Sequence, residues 1–229
     1  MASGPDKRDS RAFEPQLISD PVEKAEVEAR NGLRQYDAGI ATVQSALERG
    51  GPFRLRVSLI LSLHREALQG LSMFAGNFRP AGVSIEGSAH TPPDSHIVPE
   101  LVEEMCDYVN ANWVDATSLH LGAYLMWRLN WIHPFADGNG RTSRILSYVV
   151  MSIKTGYVLP GTPTIPDQIV ERRQPYFDAL DAADRSWSEG RLDLSSMEEL
   201  LGNMLATQLL SVYRAAGGIV SDDVGSQGF

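Results

Sequence analysis

"HPFADGNGRTSR", residues 133–144, is the stretch on which the reading of this 229-residue chain turns. It joins "SLHLGAYLMWRLNWI" (118–132) to "RTSRILSYVVMSIKTG" (141–156), two strongly helical stretches, so its glycines mark a turn between helices. Gly138-Asn139-Gly140 permits a tight turn in which successive backbone N–H groups converge. A helix starting near Gly140 or Arg141 adds positive potential at the same place. The combination is a cradle for an anion.

The side chains around the turn extend that reading. Arg141 and Arg144 are three positions apart and share one face of the helix near its start. Cations there disfavour the helix itself, so a bound anion would account for them. Two guanidiniums beside such a nest suit a polyphosphate better than a single phosphate. Asp137 supplies one hard oxygen ligand, enough for magnesium that is also held by substrate phosphates. His133 can act as a base near neutral pH. Together these parts describe a phosphoryl- or nucleotidyl-transfer site.

Working outward, the pattern stays helical. "PVEKAEVEARNGLRQYDAGIATVQSALERGG" starts at Pro21 and stops at the Gly50-Gly51 pair, and "FRLRVSLILSLHREALQG" places Leu55, Leu59, Leu63 and Leu68 at near-helical spacing. "PELVEEMCDYVNANW", "QIVERRQPYFDALDAAD" and "SSMEELLGNMLATQLLSVYRAA" complete the set. The fold class is all-α, with six to eight helices expected. "GNFRPAGVSIEGSAHTPP" (76–93) breaks the rhythm: Val83 and Ile85 alternate with Ser84 and Glu86, as in a β-hairpin or extended flap. The expected organisation is a mobile arm over 1–16, an N-terminal helical segment over 17–52, a core domain over 53–190, a C-terminal helical segment over 191–220 and a mobile tail over 221–229.

Composition narrows the function. With 20 Lys and Arg against 29 Asp and Glu, the formal charge of −9 repels nucleic-acid backbones, so no nucleic-acid partner is expected. Cys106 is the single cysteine, which excludes an internal disulfide and a multi-cysteine metal site. No apolar run reaches the roughly 18 residues of a membrane span, and the first residues lack an apolar signal core. A cytoplasmic location with no membrane partner is the expectation.

The twelve residues resemble the signature of the Fic family: His-Pro-Phe, any residue, Asp or Glu, Gly-Asn-Gly-Arg, any two, Arg. Every fixed position is matched. The resemblance implies a helical Fic fold whose core runs from about 53 to 190. It implies that His133 deprotonates a Ser, Thr or Tyr hydroxyl of a target protein, which then attacks the α-phosphorus of the co-substrate ATP. Asp137 would hold Mg²⁺. Gly138, Asn139 and Gly140 would bind phosphate through their N–H groups, Asn139 adding its side chain at the α-phosphate. Arg141 and Arg144 would take the β- and γ-phosphates, Phe135 would anchor the loop in the core, and pyrophosphate would leave. The flap residues Val83, Ser84 and Ile85 would dock an extended target segment by strand addition. Gly140 stands where phosphate-transferring Doc-type relatives carry a lysine, which favours AMP transfer.

The sequence also departs from the family. Many members carry an inhibitory glutamate in the pattern Ser/Thr, three residues, Glu, Gly/Asn. Only Glu86 and Glu189 precede Gly or Asn here, and Gly82 and Arg185 stand four positions before them, so neither fits. Glu28 and Glu48 are the candidates for a divergent inhibitory glutamate; a separate inhibitor protein is the other way to supply one. Homodimer formation is compatible with the resemblance. Competing functions are a Fic enzyme that uses UTP or removes AMP, and an ATP-sensing regulatory binding protein. His120, Trp127 and Trp131 read as core packing, and Arg172 and Arg173 as a solvated face beside the core aromatics Tyr176 and Phe177.

Overall fold

A computed structural model of the chain describes residues 8–12 and 14–218. The expected tail at 221–229 and residues 1–7 of the expected arm lie outside these. Eight α-helices and one two-stranded sheet are present among the described residues. α1 (Pro21–Arg49) starts where Asp20 accepts hydrogen bonds from the N–H groups of Val22 and Glu23, and stops at Gly50. α2 (Val57–Leu68), α3 (Val98–Ala111), α4 (Ser118–Ile132), α5 (Asn139–Thr155) and α8 (Ser195–Ala215) lie on the stretches read as helical. The stretch around 168–184 is two helices, α6 (Ile165–Glu171) and α7 (Arg173–Ser188), divided at Arg172. Pro175 explains the break: it has no N–H for the Glu171 carbonyl and fits only the first turn of a new helix.

The most extensive contact in the fold is that of α4 with α5. Leu121, Leu125 and Leu129 meet Leu146, Val149 and Val150 in one continuous core, all without solvent exposure. Gly122 lets the two helices approach closely, since a Cβ there would stand 2.6 Å from the sulfur of Met151. α1 and α2 pack on the other side of α5. The loop between α4 and α5 is thereby held rigidly at both ends.

The flap is present as β2 (Ser84–Glu86), and its antiparallel partner comes from far away in the chain. β1 (Asp9–Arg11) lies inside the stretch read as a mobile arm and pairs Asp9 with Glu86, Ser10 with Ile85 and Arg11 with Ser84. A three-residue polar strand has no apolar period by which it could be read from the sequence.

Candidate active site

The 133–140 loop is fixed from several directions. The N–H of His133 donates to the Leu129 carbonyl at 2.9 Å and closes α4. His133 has φ 51°, the only positive value at a non-glycine among the described residues, a conformation that costs free energy and is found at functional sites. Arg79 holds the next turn: its Nε donates to the His133 carbonyl at 2.8 Å and its backbone N–H to the Pro134 carbonyl at 2.9 Å. Phe135 is fully buried against His64, ring centroids 3.7 Å apart and planes 5° from parallel. His64 Nε2 donates to the Asp137 carbonyl at 3.0 Å, and its Nδ1 accepts from the Gly76 N–H at 2.9 Å.

The Asn139 side chain closes the loop on itself: Oδ1 accepts from the Phe135 N–H at 2.9 Å and Nδ2 donates to the Phe135 carbonyl at 2.8 Å. This buried amide tightens the turn and leaves one Nδ2 hydrogen and the backbone N–H to offer an anion. Asn139, Gly140 and Arg141 form the first turn of α5, where helix geometry provides no internal acceptor for their N–H groups. The Gly138 N–H instead donates to Asp137 Oδ1 at 2.6 Å.

The tautomer of His133 follows from its neighbours. Nδ1 is 3.2 Å from the Asn130 carbonyl, which can only accept, so Nδ1 carries the hydrogen. Burial pushes the pKa of the ring down to about 4, the Asn130 hydrogen bond opposing and Arg79 adding to the fall. At neutral pH the ring is therefore uncharged, with the lone pair on Nε2. That atom lies 2.8 Å from the hydroxyl oxygen of Ser10, which must donate to it.

The arginines occupy two different settings. Arg141 Nη2 donates to Asp137 Oδ2 at 2.7 Å, and Nη1 stands 4.0 Å from Glu28. Arg144 has no ion pair among the described residues. Burial lowers its pKa, Tyr176 opposing this and Arg173 and Arg141 adding to it. A desolvated guanidinium without a counter-ion, beside two more cations and a helix N-terminus, is a site awaiting an anion. A cleft of about 670 Å³ connects these groups and is lined by Ser10, His133, Gly140, Arg144, Arg173 and Tyr176 among others. Its size suits a nucleotide.

No group of three or more His, Cys, Asp or Glu side chains that could cage a metal occurs among the described residues. The donor set does fit magnesium shared with a substrate. Asp137 is half-exposed, and its two oxygens each accept one hydrogen bond here, leaving lone pairs for a cation completed by phosphate oxygens and water.

Of the flap residues, Ser84 and Ile85 lie in β2 and Val83 just before it, with Ile85 lining the cleft. Of the two glutamates, Glu28 lines the cleft, whereas Glu48 is exposed at the far end of α1 and is not among the cleft residues. Trp127 is buried in the core, Trp131 lines the cleft, and His120 bonds to Tyr108 and Glu198. Arg173 lines the cleft, while Tyr176 and Phe177 are buried. His64, Arg79, Asn130 and Ser10 were not singled out from the sequence. Each acts across 54 to 123 positions or through a backbone group, and carries no local pattern.

Residues 54–151, which include α4, the whole loop and α5 as far as Met151, match the Fic/DOC family. Over these residues the chain carries the Fic/DOC domain. Among curated relatives, the chain is 29% identical over 140 residues to the protein adenylyltransferase Fic of Drosophila willistoni, covering 59% of this chain and 27% of the relative. It is 28% identical over 168 residues to the protein adenylyltransferase Fic of Aedes aegypti, covering 71% and 31%. The chain thus spans less than a third of the length of these relatives. The fold is similar to that of a Fic domain containing signaling protein from Bacteroides thetaiotaomicron, with a TM-score of 0.62 at 20% identity over 83% of this chain and 74% of that one. No described helix is long and apolar enough to cross a membrane.

Proposed function

We propose that this Fic chain is a protein adenylyltransferase, moving AMP from ATP to a hydroxyl on a protein and releasing pyrophosphate. The observation that carries the reading is the neutral His133 whose Nε2 accepts from a serine hydroxyl at 2.8 Å, beside the first turn of α5 and an Arg144 that has no ion pair among the described residues. The hydroxyl oxygen attacks the α-phosphorus as its proton passes to Nε2. The Asn130 carbonyl holds the ring in the tautomer that can take the proton. The N–H groups of Asn139, Gly140 and Arg141 would face the developing negative charge, and Arg144, with Arg141, would bind the outer phosphates. Asp137 would hold Mg²⁺, which when bound neutralises phosphate charge. Gly140 supports AMP transfer, because a Cβ there would stand 3.1 Å from the Arg144 guanidinium and crowd the phosphate end of the cleft.

The target in this reading is an extended protein segment that adds to β2, as β1 does in the structure. The test is incubation of the wild type and His133→Asn with Mg²⁺ and each of ATP, GTP, CTP and UTP, read by intact mass of the chain and of added candidate targets. Asn is chosen because it tolerates positive φ. A His133-dependent gain of one AMP is expected; a gain of UMP only would replace ATP as the co-substrate, and binding without transfer would favour the sensor reading.

A further inference from the structure

Arg8, Asp9 and Ser10 line the cleft. Nη2 of Arg8 donates to both carboxylate oxygens of Asp181 of α7, at 2.8 and 2.7 Å, and the guanidinium lies over the Phe177 ring at 4.7 Å. Asp9–Arg11 completes a sheet with the flap, and Arg11 Nε donates to Glu86 at 2.8 Å. Glu14 accepts from the Ser72 hydroxyl at 2.6 Å and the Met73 N–H at 2.7 Å, just beyond α2. Contacts on both sides of Ser10 therefore set its position along the flap. Side chains alternate along a strand, and this register brings the hydroxyl of residue 10 to the base while Arg11 is not among the cleft residues.

We infer that Ser10 is a self-modification site: its hydroxyl accepts AMP in cis from a nucleoside triphosphate bound in the same cleft. The inference deepens the adenylyltransferase reading and rests on it. Ser10 Oγ stands 2.8 Å from Nε2 of His133, the hydrogen-bond distance a general base requires. Residues 8–12 do not fill the phosphate end of the site: the cleft of about 670 Å³ remains with β1 in place, and Ser10, Gly140 and Arg144 line the same space. In the reaction, the bond between Ser10 Oγ and the α-phosphorus forms as the bond from that phosphorus to the α,β-bridging oxygen breaks. The electron pair leaves with pyrophosphate, and the serine proton moves to Nε2 and then to solvent. Nothing is oxidised or reduced. Holding acceptor and base together in one chain makes the step intramolecular, with the rate advantage of a fixed geometry. Once Ser10 is modified, no hydroxyl remains at this position, so the expected limit is one AMP per chain.

The experiment uses the full chain with Mg²⁺ and ATP, and compares wild type, Ser10→Ala, Ser10→Thr, Ser10→Ala/Arg11→Ser and His133→Asn. Intact mass, fragment mapping and pyrophosphate release are read together. The inference expects AMP on Ser10, first-order with a rate constant that does not change over a tenfold range of protein concentration. Labelling falls at least tenfold in Ser10→Ala and His133→Asn, persists in Ser10→Thr and is not restored by the displaced hydroxyl of the double variant. A mixture of active Ser10→Ala chains with His133→Asn chains leaves the latter unlabelled; labelling them would overturn the cis assignment. AMP on another residue, or His133-dependent pyrophosphate release without a labelled chain, overturns the inference and leaves the adenylyltransferase reading standing. No transfer and no pyrophosphate release in any variant removes both.

Discussion

His64 lies flat on Phe135 with ring centroids 3.7 Å apart, and through its Nε2 it holds the Asp137 carbonyl from a helix 73 positions earlier in the chain. This couples the packing of α2 to the shape of the 133–140 loop. His64→Ala leaves the Asp137 carbonyl and the Gly76 N–H without their partner and opens a cavity against Phe135. The expected cost is about 2–4 kcal/mol in urea unfolding, with weaker ATP binding in chains that remain folded.

His64 and His133 give stability a defined pH dependence. Burial is the main cause that holds both near 4, well below the ordinary 6.5. The unfolded chain takes up these protons as pH drops through 6.5, while the folded chain resists until about 4. The stabilisation is therefore complete above pH 6.5 and lost as pH falls from 6.5 to 4, by roughly 3 kcal/mol per histidine. Urea titrations across this window should give a shallower dependence for His133→Asn than for the wild type.

Gly138 is a backbone requirement. It has φ 80°, and a Cβ would stand 2.4 Å from Leu68 Cδ2. Gly138→Ala combines a strained conformation with a contact that Leu68 must yield to, and should destabilise by about 2–3 kcal/mol. Calorimetric unfolding checks the stability, and ATP titration should show weakened binding alongside it.

Arg144 separates binding from stability. Arg144→Ala removes a desolvated cation that has no ion pair among the described residues, so the melting temperature should hold or rise. The same change removes charge-assisted hydrogen bonds to phosphate worth about 1.5–3 kcal/mol, so ATP affinity should fall about 10- to 100-fold. A fall in both quantities would make Arg144 a structural residue.

Glu28 and Glu48 divide by position. Glu28 stands 4.0 Å from Arg141 at the cleft, an exposed pair worth at most about 1 kcal/mol. Glu28→Gly should raise the rate of AMP transfer by up to about fivefold, and Glu48→Gly should leave it unchanged. Equal rates in wild type and Glu28→Gly would remove Glu28 as a restraint on the site.

The helices and the 133–144 loop were legible because both are written locally: in apolar spacing, in the Gly50-Gly51 stop and in one uninterrupted motif. The division of α6 from α7 needed the position of Pro175 within the pattern. What holds the loop was not legible, since the Arg79 and His64 contacts reach backbone carbonyls, and any residue supplies a carbonyl. Asn139 has a contact that the motif does not write: its side chain closes the loop on the Phe135 backbone. β1 was hidden because pairing and long-range ion pairs, rather than composition, hold it in place.

The most direct test of the central claim measures ATP binding and pyrophosphate release in the same preparations of wild type and His133→Asn, with Mg²⁺ present. The account predicts that His133→Asn binds ATP within about threefold of the wild type, while its pyrophosphate release falls by at least 100-fold, the scale of a lost general base. Pyrophosphate release undiminished in His133→Asn would contradict the assignment of His133 as the base, and with it the proposed mechanism.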